Sequence, residues 1–241
     1  MNLNSVFSPK VNRRVGNALS DYSMLDDGDR VLVALSGGVD SMVLTWLLHH
    51  WLRKAPVSYS LHVVTVENNF KVPEGGERPT AKIKRQLDQM EIELSVIEGK
   101  PLLDEERTCF VCARNRRNQL FKMAEAEGYN KIALGHHKDD LVETLFINML
   151  YGGNISTMLP RQDLFEGKLS LIRPLAYLEK TDVCELAASI GVEPVDNLCP
   201  LSGSTKREKV REVLESIYSF EPQAKSSIFS AMANVRNDYL L

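Results

Sequence analysis

Three of the four cysteines in this chain of 241 residues have a spacing that suits metal or redox chemistry. Cys109 and Cys112 form a C-x-x-C pair in "TCFVCARNRR", and Cys199 follows in "DNLCPLSG". Thiolates are preferred ligands of zinc and of iron–sulfur clusters. A structural zinc site normally takes four protein ligands, whereas a [4Fe-4S] cluster on three cysteines leaves one iron open to a sulfide or a substrate atom. From spacing alone, zinc and a dithiol redox pair remain alternatives, because an isolated C-x-x-C is a common pattern.

The remaining cysteine, Cys184, lies in "TDVCELAASIG", a stretch that predicts a helix. We expect it on the apolar side of that helix, where it would act as a small buried hydrophobe and not as a ligand.

The segment "SGGVDS", residues 36–41, predicts a phosphate-binding turn between a buried strand and an apolar helix. Its candidate contacts are Ser36, Gly37, Gly38, Asp40 and Ser41. The two glycines let the backbone turn sharply near an anion, and the following helix supplies unpaired N–H groups and its positive dipole end. Pyrophosphate is the expected ligand, with the serine hydroxyls as donors. A Walker A loop is excluded, since it closes on Gly-Lys-Ser/Thr. We expect the aspartate to hold the loop or Mg²⁺.

A third candidate stretch, "LGHHKDDLVET", begins a helix with acidic residues. Asp139 and Asp140 lie in its first turn and Glu143 one turn later, so they could hold Mg²⁺ or orient a nucleotide. Acids that only complement the helix dipole are the alternative. The preceding Gly135 and two histidines favour the functional interpretation. Whether His136 or His137 faces the ligand is left open.

Two basic clusters could bind RNA phosphates, although the whole chain carries 29 basic and 32 acidic residues and a net charge near −3. The first contains Arg114, Arg116 and Arg117, directly after the C-x-x-C pair, and the second contains Lys206 and Arg207. Phosphate contacts of this kind position a substrate without reading its sequence. A solvated helix face is the alternative for each cluster.

Short β-rich runs alternate with longer helical stretches, which predicts an α/β fold with a doubly wound parallel sheet. The predicted strands are 31–35, 59–66, 94–97, 131–135 and 169–175. The predicted helices lie at about 42–52, 80–90, 112–127, 136–153 and 179–191, and the chain is expected to be helical from about residue 204 onward. The ligand crevice of such a sheet lies at the carboxyl ends of its strands. Because no apolar run reaches the ~18 residues of a membrane helix and no signal peptide is evident, we expect no membrane association and a cytoplasmic location.

In combination, these motifs resemble the tRNA 2-thiocytidine synthetase family of PP-loop ATP pyrophosphatases, which have an adenine nucleotide α-hydrolase-like fold. The resemblance rests on the motifs above together with "MLYGG", "IRPLAY", "NLC" and "FSAMANV", and it spans roughly residues 28–236. It implies an iron–sulfur enzyme that uses ATP to adenylate the C2 oxygen of a tRNA cytidine and replaces it with sulfur. The sulfur donor would be sulfide or a cysteine desulfurase, and the resemblance also suggests a homodimer.

The resemblance implies a role for each motif. It makes Cys109, Cys112 and Cys199 the cluster ligands and residues 36–41 the pyrophosphate loop. It places Gly135, His136, Asp139 and Asp140 beside the nucleotide. We expect an N-terminal helical segment at 1–27, the catalytic domain at 28–203 and a helical segment at 204–241 packed on it.

Two departures bear on the substrate. Family members often have Lys where this chain has Val39, so Mg²⁺ or another basic residue would have to compensate. The chain also looks short at both ends. The alternatives are a PP-loop enzyme acting on another tRNA base or a small metabolite, and a noncatalytic carrier of a cluster or sulfur. A lysidine-type synthetase would have no need of the three cysteines.

Overall fold

The protein is built around one six-stranded sheet. A computed structural model describes residues 8–67, 70–100, 108–195, 198–199 and 205–239. The spatial strand order is β3-β2-β1-β4-β6-β5, with every neighbouring pair parallel except β5 and β6. The strands are β1 Asp29–Leu35, β2 Tyr59–Glu67, β3 Leu94–Glu98, β4 Lys131–Ala133, β5 Arg161–Leu164 and β6 Leu169–Ile172.

Eight α-helices connect and cover these strands within the described residues. They are α1 Pro9–Asp21, α2 Val39–Trp51, α3 Pro79–Gln89, α4 Cys109–Glu127, α5 Lys138–Gly152, α6 Lys180–Ser189, α7 Lys206–Phe220 and α8 Ala224–Ala231. A short 3₁₀ helix, Asn237–Tyr239, follows. No helix in this described part of the chain is long and apolar enough to cross a membrane.

Strand β1 shows how the sheet divides the core into two layers. Side chains alternate across a strand, so Val31, Val33 and Leu35 pack into a cluster with α1, α2 and α6. Leu32 points the other way, into a second cluster with Leu120 of α4. A third, smaller cluster joins α5 to the C-terminal helices; it contains Val142, Val210 and Leu214.

The predicted doubly wound parallel fold is confirmed, with two main differences. Strand β5 was not predicted, because "RQDL" is a short polar edge strand without an apolar pattern. Helix α4 begins at Cys109 and not after it, because the Thr108 hydroxyl caps the helix by accepting a hydrogen bond from the Val111 amide. The predicted loop before Cys109 and the start of the last helical segment, 101–107 and 200–204, lie outside the described residues.

The prediction that Cys184 is buried is wrong. Cys184 is exposed, because the buried face of α6 carries Val183, Leu186 and Ala187. At about 100° per residue, Cys184 lies more than 100° around the helix from the centre of this buried face and therefore points to solvent. The division into segments 1–27, 28–203 and 204–241 stays a prediction, although α1 contributes Val15 and Ala18 to the main core.

The strand order creates the expected crevice. From β1 the chain runs outward to β2 and β3, then returns to place β4 on the other side of β1. Ligands of open α/β sheets bind at the carboxyl ends of the strands beside such a reversal. The loops that follow β1, β4 and β6 therefore form the candidate site.

Candidate active site

The loop of residues 36–41 joins β1 to α2 and is held by its own serines. The Ser36 amide donates to Ser41 Oγ at 3.1 Å, and Ser41 Oγ donates to the Gly38 carbonyl at 2.9 Å. Gly37 has φ +84°, and a Cβ there would lie 2.7 Å from Ile83 Cδ1. Glycine is required for this backbone turn. The loop thus presents the N-terminus of α2, a ready site for a phosphate anion.

A second loop, from β4 to α5, touches the first one at Gly135. A Cβ on Gly135 would lie 2.9 Å from both the Asp40 carbonyl carbon and the Ser41 amide nitrogen. Real Cβ atoms rarely approach backbone this closely, so a side chain here would push the two loops apart. Gly135 therefore brings the ends of β1 and β4 together.

A cavity of about 690 Å³ opens between these loops and α4. Ser36, Gly38 and Ser41 line one part of it, and Gly135, His136 and Asp140 line another. Its apolar wall is formed by strand and helix side chains, including Ala34, Val66, Leu120, Ile132 and Leu171. A cavity of this size with an apolar wall and a few polar groups is typical of a site for a nucleotide-sized ligand.

The two histidines have different roles in the structure. His136 lines the cavity, and its Nδ1 accepts a hydrogen bond from Arg173 Nε at 3.3 Å. Burial and the Arg173 charge lower the pKa of His136 to about 4, so its imidazole is neutral at pH 7. His137 is buried next to Asp40, Asp139 and Asp140. Burial alone would lower the pKa of His137, but these carboxylates raise it above its ordinary value.

The acids of the site are already paired with cations. Lys180 Nζ lies 2.6 Å from Asp40 Oδ1, which brings a cation to the loop that has Val39 in place of lysine. Asp140 Oδ1 lies 3.5 Å from Arg207 Nη1. Any Mg²⁺ held here would compete with these ammonium and guanidinium groups for the carboxylate oxygens.

Asp139 does not belong to the cavity wall with Asp140. Its Oδ1 lies 2.6 Å from Lys225 Nζ, and its other oxygen accepts the Lys180 amide at 2.8 Å. Burial would raise the pKa of Asp139, but the interactions with His137 and Lys225 outweigh it and hold that pKa well below the usual range. Its contacts indicate that Asp139 joins α5 to α6 and α8.

Two of the predicted cysteine ligands are adjacent in sequence to cavity-lining residues: Ala113 follows Cys112, and Leu198 precedes Cys199. Cys109 is exposed and Cys112 half-buried in the first turn of α4. Cys199 is half-buried, and its neighbour Leu198 lines a smaller cavity together with Ser36 and Arg116. Three thiols in this placement suit a soft metal or an iron–sulfur cluster. Among the described residues, however, no three His, Cys, Asp or Glu side chains converge to hold a metal ion. Ligation by all three cysteines stays a prediction.

The predicted RNA-binding residues divide into two groups. Arg116 and Arg117 line the cavity, whereas Arg114 lies outside it and covers the exposed Phe110 ring at 5.8 Å. In the second cluster, Lys206 lies 4.6 Å from the Tyr151 ring centre. Arg207 is engaged with the buried Glu143 at 2.8 Å, so it has a structural contact that the sequence did not suggest.

Two site residues were missed from the sequence. Arg173 is 5% exposed and lines the cavity just beyond β6, and Lys180 pairs with the phosphate-loop aspartate. Arg173 lies within the predicted strand 169–175 and directly after the observed β6, at its carboxyl end, and Lys180 lies at the start of the next helix, α6. That placement was the only available signal, since a single basic residue carries no pattern.

Comparisons with known proteins identify the family of this chain. The family described as "PP-loop domain" matches residues 7–216. A curated tRNA-cytidine(32) 2-sulfurtransferase from Aliivibrio salmonicida is 36% identical over 240 residues, which cover 96% of this chain and 76% of the relative. The protein of the same name from Chromohalobacter salexigens is 37% identical over 237 residues, 94% of this chain and 81% of the relative.

Among solved structures, the U34-tRNA thiolase NcsA from Methanococcus maripaludis, solved with its [4Fe-4S] cluster, has a TM-score of 0.73. The match covers 93% of this chain and 78% of the other at 20% identity. At that identity the likeness supports the fold alone.

Proposed function

The chain belongs to the PP-loop family, and from this premise we propose that it is an ATP-dependent tRNA sulfurtransferase that thiolates the C2 position of a cytidine. The observation that carries the proposal is the shared cavity: the phosphate loop and His136 line it together with Arg116, one helical turn after Cys112. Its relatives from Aliivibrio salmonicida and Chromohalobacter salexigens bear the name tRNA-cytidine(32) 2-sulfurtransferase.

The first half-reaction uses the loop of residues 36–41. ATP binds with its pyrophosphate on this loop, where the exposed Ser36 hydroxyl and the α2 amides donate hydrogen bonds, and Ser41 donates to the Gly38 carbonyl and holds the loop in shape. The C2 oxygen of the cytidine attacks the α-phosphorus, an O-adenylate forms and pyrophosphate leaves. Activation is needed because an amide-like oxygen is a poor leaving group, whereas AMP departs readily. Mg²⁺, held with help from Asp40 and Asp140, would neutralise the phosphates.

The second half-reaction replaces the activated oxygen with sulfur. Hydrosulfide, supplied as sulfide or released when a thiol reduces the persulfide of a cysteine desulfurase, attacks C2. The C2–sulfur bond forms, the C2–oxygen bond breaks and AMP leaves with the oxygen. Cys109, Cys112 and Cys199 would hold a [4Fe-4S] cluster, which when bound would supply a binding site for the incoming sulfur. The α4 arginines and Lys206 would contact tRNA phosphates, with Arg114 outside the cavity. Arg207 is predicted as a further RNA contact, but its guanidinium group forms an ion pair with Glu143.

The test is anaerobic purification followed by iron and sulfide analysis and a tRNA thiolation assay on Cys199→Ala, with Cys184→Ala as the matched control. We expect about four irons and four sulfides in the wild type. Cys199→Ala should lose iron and thiolation and still bind ATP. Cys184→Ala should behave as the wild type, because Cys184 is exposed on α6. Stoichiometric zinc without iron would refute the cluster, and ATPase activity independent of tRNA would refute the substrate.

A further inference from the structure

The wall of the 690 Å³ cavity carries three arginines whose charges have no carboxylate partner in the described part of the chain. Arg116 and Arg117 come from α4, and Arg173 follows β6. Because α4 and β6 lie far apart in the sequence, the tertiary fold brings the three arginines to one cavity.

Arg173 is the most informative of the three, because it is 5% exposed. A buried charge without a partner is costly, so its position calls for an explanation. Its Nε donates to His136 Nδ1 and its Nη1 donates to the Leu159 carbonyl. Burial and the nearby Arg117 lower the pKa of Arg173 to about 10, so it remains charged at neutral pH. Neither of its hydrogen-bond acceptors carries a negative charge.

Arg116 lines the same cavity and also lacks a partner within the described ranges. Its Nε is buried and has no hydrogen-bond partner among the described residues. Its side chain lines both the main cavity and the smaller one beside the phosphate loop. Buried donors are normally satisfied, so an unpaired one that faces a cavity suggests that a ligand accepts its hydrogen bond.

The acids in the same wall do not neutralise the arginines. Asp40 is paired with Lys180 at 2.6 Å, and Asp140 lies 3.5 Å from Arg207. The neutral His136 adds no negative charge. The α4 side of the cavity is therefore positively charged and suits an oxyanion with several acceptor oxygens.

We propose that Arg116, Arg117 and Arg173 form a phosphate subsite that is separate from the pyrophosphate loop of residues 36–41. Two ligands have the required chemistry: the α-phosphate of the bound nucleotide and a phosphodiester beside the target base of the RNA. The subsite itself is inferred from the structure, and only the choice of these two candidate ligands rests on the proposed function.

The experiment measures equilibrium binding of AMP, of an anticodon stem-loop RNA and of inorganic pyrophosphate to the purified full chain. The variants are Arg116→Gln, Arg173→Gln and Arg173→Lys. Arg116→Gln removes no hydrogen bond between described residues, so we expect it to fold normally. The subsite can therefore still be tested if Arg173→Gln fails to fold. Arg53→Gln, an exposed arginine outside the cavity, is the control.

We expect the two glutamine variants to weaken either AMP or RNA binding about tenfold, while pyrophosphate binding stays unchanged. A loss confined to AMP identifies the nucleotide as the source. If the RNA is the source, each variant also reduces the slope of log K against log salt by about 0.7–0.9. Arg173→Lys should keep that slope and lose part of the affinity, since lysine retains the charge without the planar fork.

Two results would overturn the subsite: variants that bind all three probes as Arg53→Gln does, or a loss of pyrophosphate binding equal to that of AMP. None of these measurements involves sulfur transfer. A wild-type protein that binds phosphate through these arginines and fails to thiolate tRNA would therefore refute the proposed function and leave the subsite standing.

Discussion

At the scale of single residues, Gly135 determines how closely two loops of the crevice approach. We predict that Gly135→Ala weakens ATP binding at least tenfold, which corresponds to about 1.4 kcal/mol. The added methyl would lie 2.9 Å from backbone atoms of Asp40 and Ser41, and backbone cannot rotate away as a side chain can. Isothermal titration of ATP checks the effect.

The matched control is Gly16→Ala on α1. Its Cβ would meet only the Trp51 ring at an ordinary 3.5 Å. Alanine is favoured over glycine inside a helix by roughly 0.5–1 kcal/mol, so this variant should be slightly stabilised and bind ATP normally. Equal ATP affinity in both variants would show that the contact between the loops is unimportant for the nucleotide.

The lowered pKa of His136 leads us to predict that the stability of the protein depends on pH. That pKa is about 4 in the folded state against an ordinary 6.5. As the pH falls between these values the unfolded chain gains a proton there and the folded chain does not, so folding stability declines. The variant His136→Asn can still accept a hydrogen bond from Arg173. We expect it to lose roughly 1–3 kcal/mol less unfolding free energy than the wild type between pH 7 and pH 4. Urea denaturation of both proteins at pH 7 and pH 4 measures these free energies of unfolding. An equal loss of stability in the wild type and in His136→Asn would contradict the lowered pKa of His136.

At the scale of elements, α7 is fastened to α5 through a buried carboxylate. Glu143 is 5% exposed, with Arg207 at 2.8 Å and Arg211 at 2.9 Å. We predict that the double variant Arg207→Gln, Arg211→Gln lowers the free energy of unfolding by roughly 2–4 kcal/mol, because it leaves a buried charge unpaired. Adding Glu143→Gln should recover most of that loss.

Urea denaturation with an unchanged m value provides the measurement. The comparison is Lys84→Gln, which breaks an exposed pair with Asp88 and should cost about 0–1 kcal/mol. If the triple variant were as unstable as the double one, the arginines would stabilise the protein through packing and not through the charge of Glu143.

The sequence predicted the elements that have strong apolar patterns and missed those defined by tertiary pairing. The β1-loop-α2 unit follows from an apolar run, two glycines and an apolar helix. Strand β5 has no such pattern and forms only because β6 provides an antiparallel partner. The same limit applies to the site: residues 36–41 are a local motif, but Arg173 and Lys180 gain their roles from contacts across 37 and 140 positions of the sequence.

At the scale of the whole molecule, the crevice is assembled from parts that lie far apart in the chain. Its wall combines the ends of β1, β2, β4 and β6 with α4, and its Asp140 is paired with α7. No half of the chain can therefore provide the nucleotide site alone. We predict one cooperative thermal transition that ATP shifts upward as a unit.

At an ATP concentration of 100 times its Kd, the stabilisation should be about 2.7 kcal/mol, which raises Tm by roughly 5–10 °C in a chain of this length. Ser36→Ala, which removes one exposed hydroxyl of the loop, should show a smaller shift at the same ATP concentration. Differential scanning calorimetry distinguishes this from the alternative of separable domains. If residues 204–241 folded independently, the scan would show a second transition whose Tm does not change with ATP. That result would mean that the ion pair between Arg207 and Asp140 does not couple α7 to the nucleotide site.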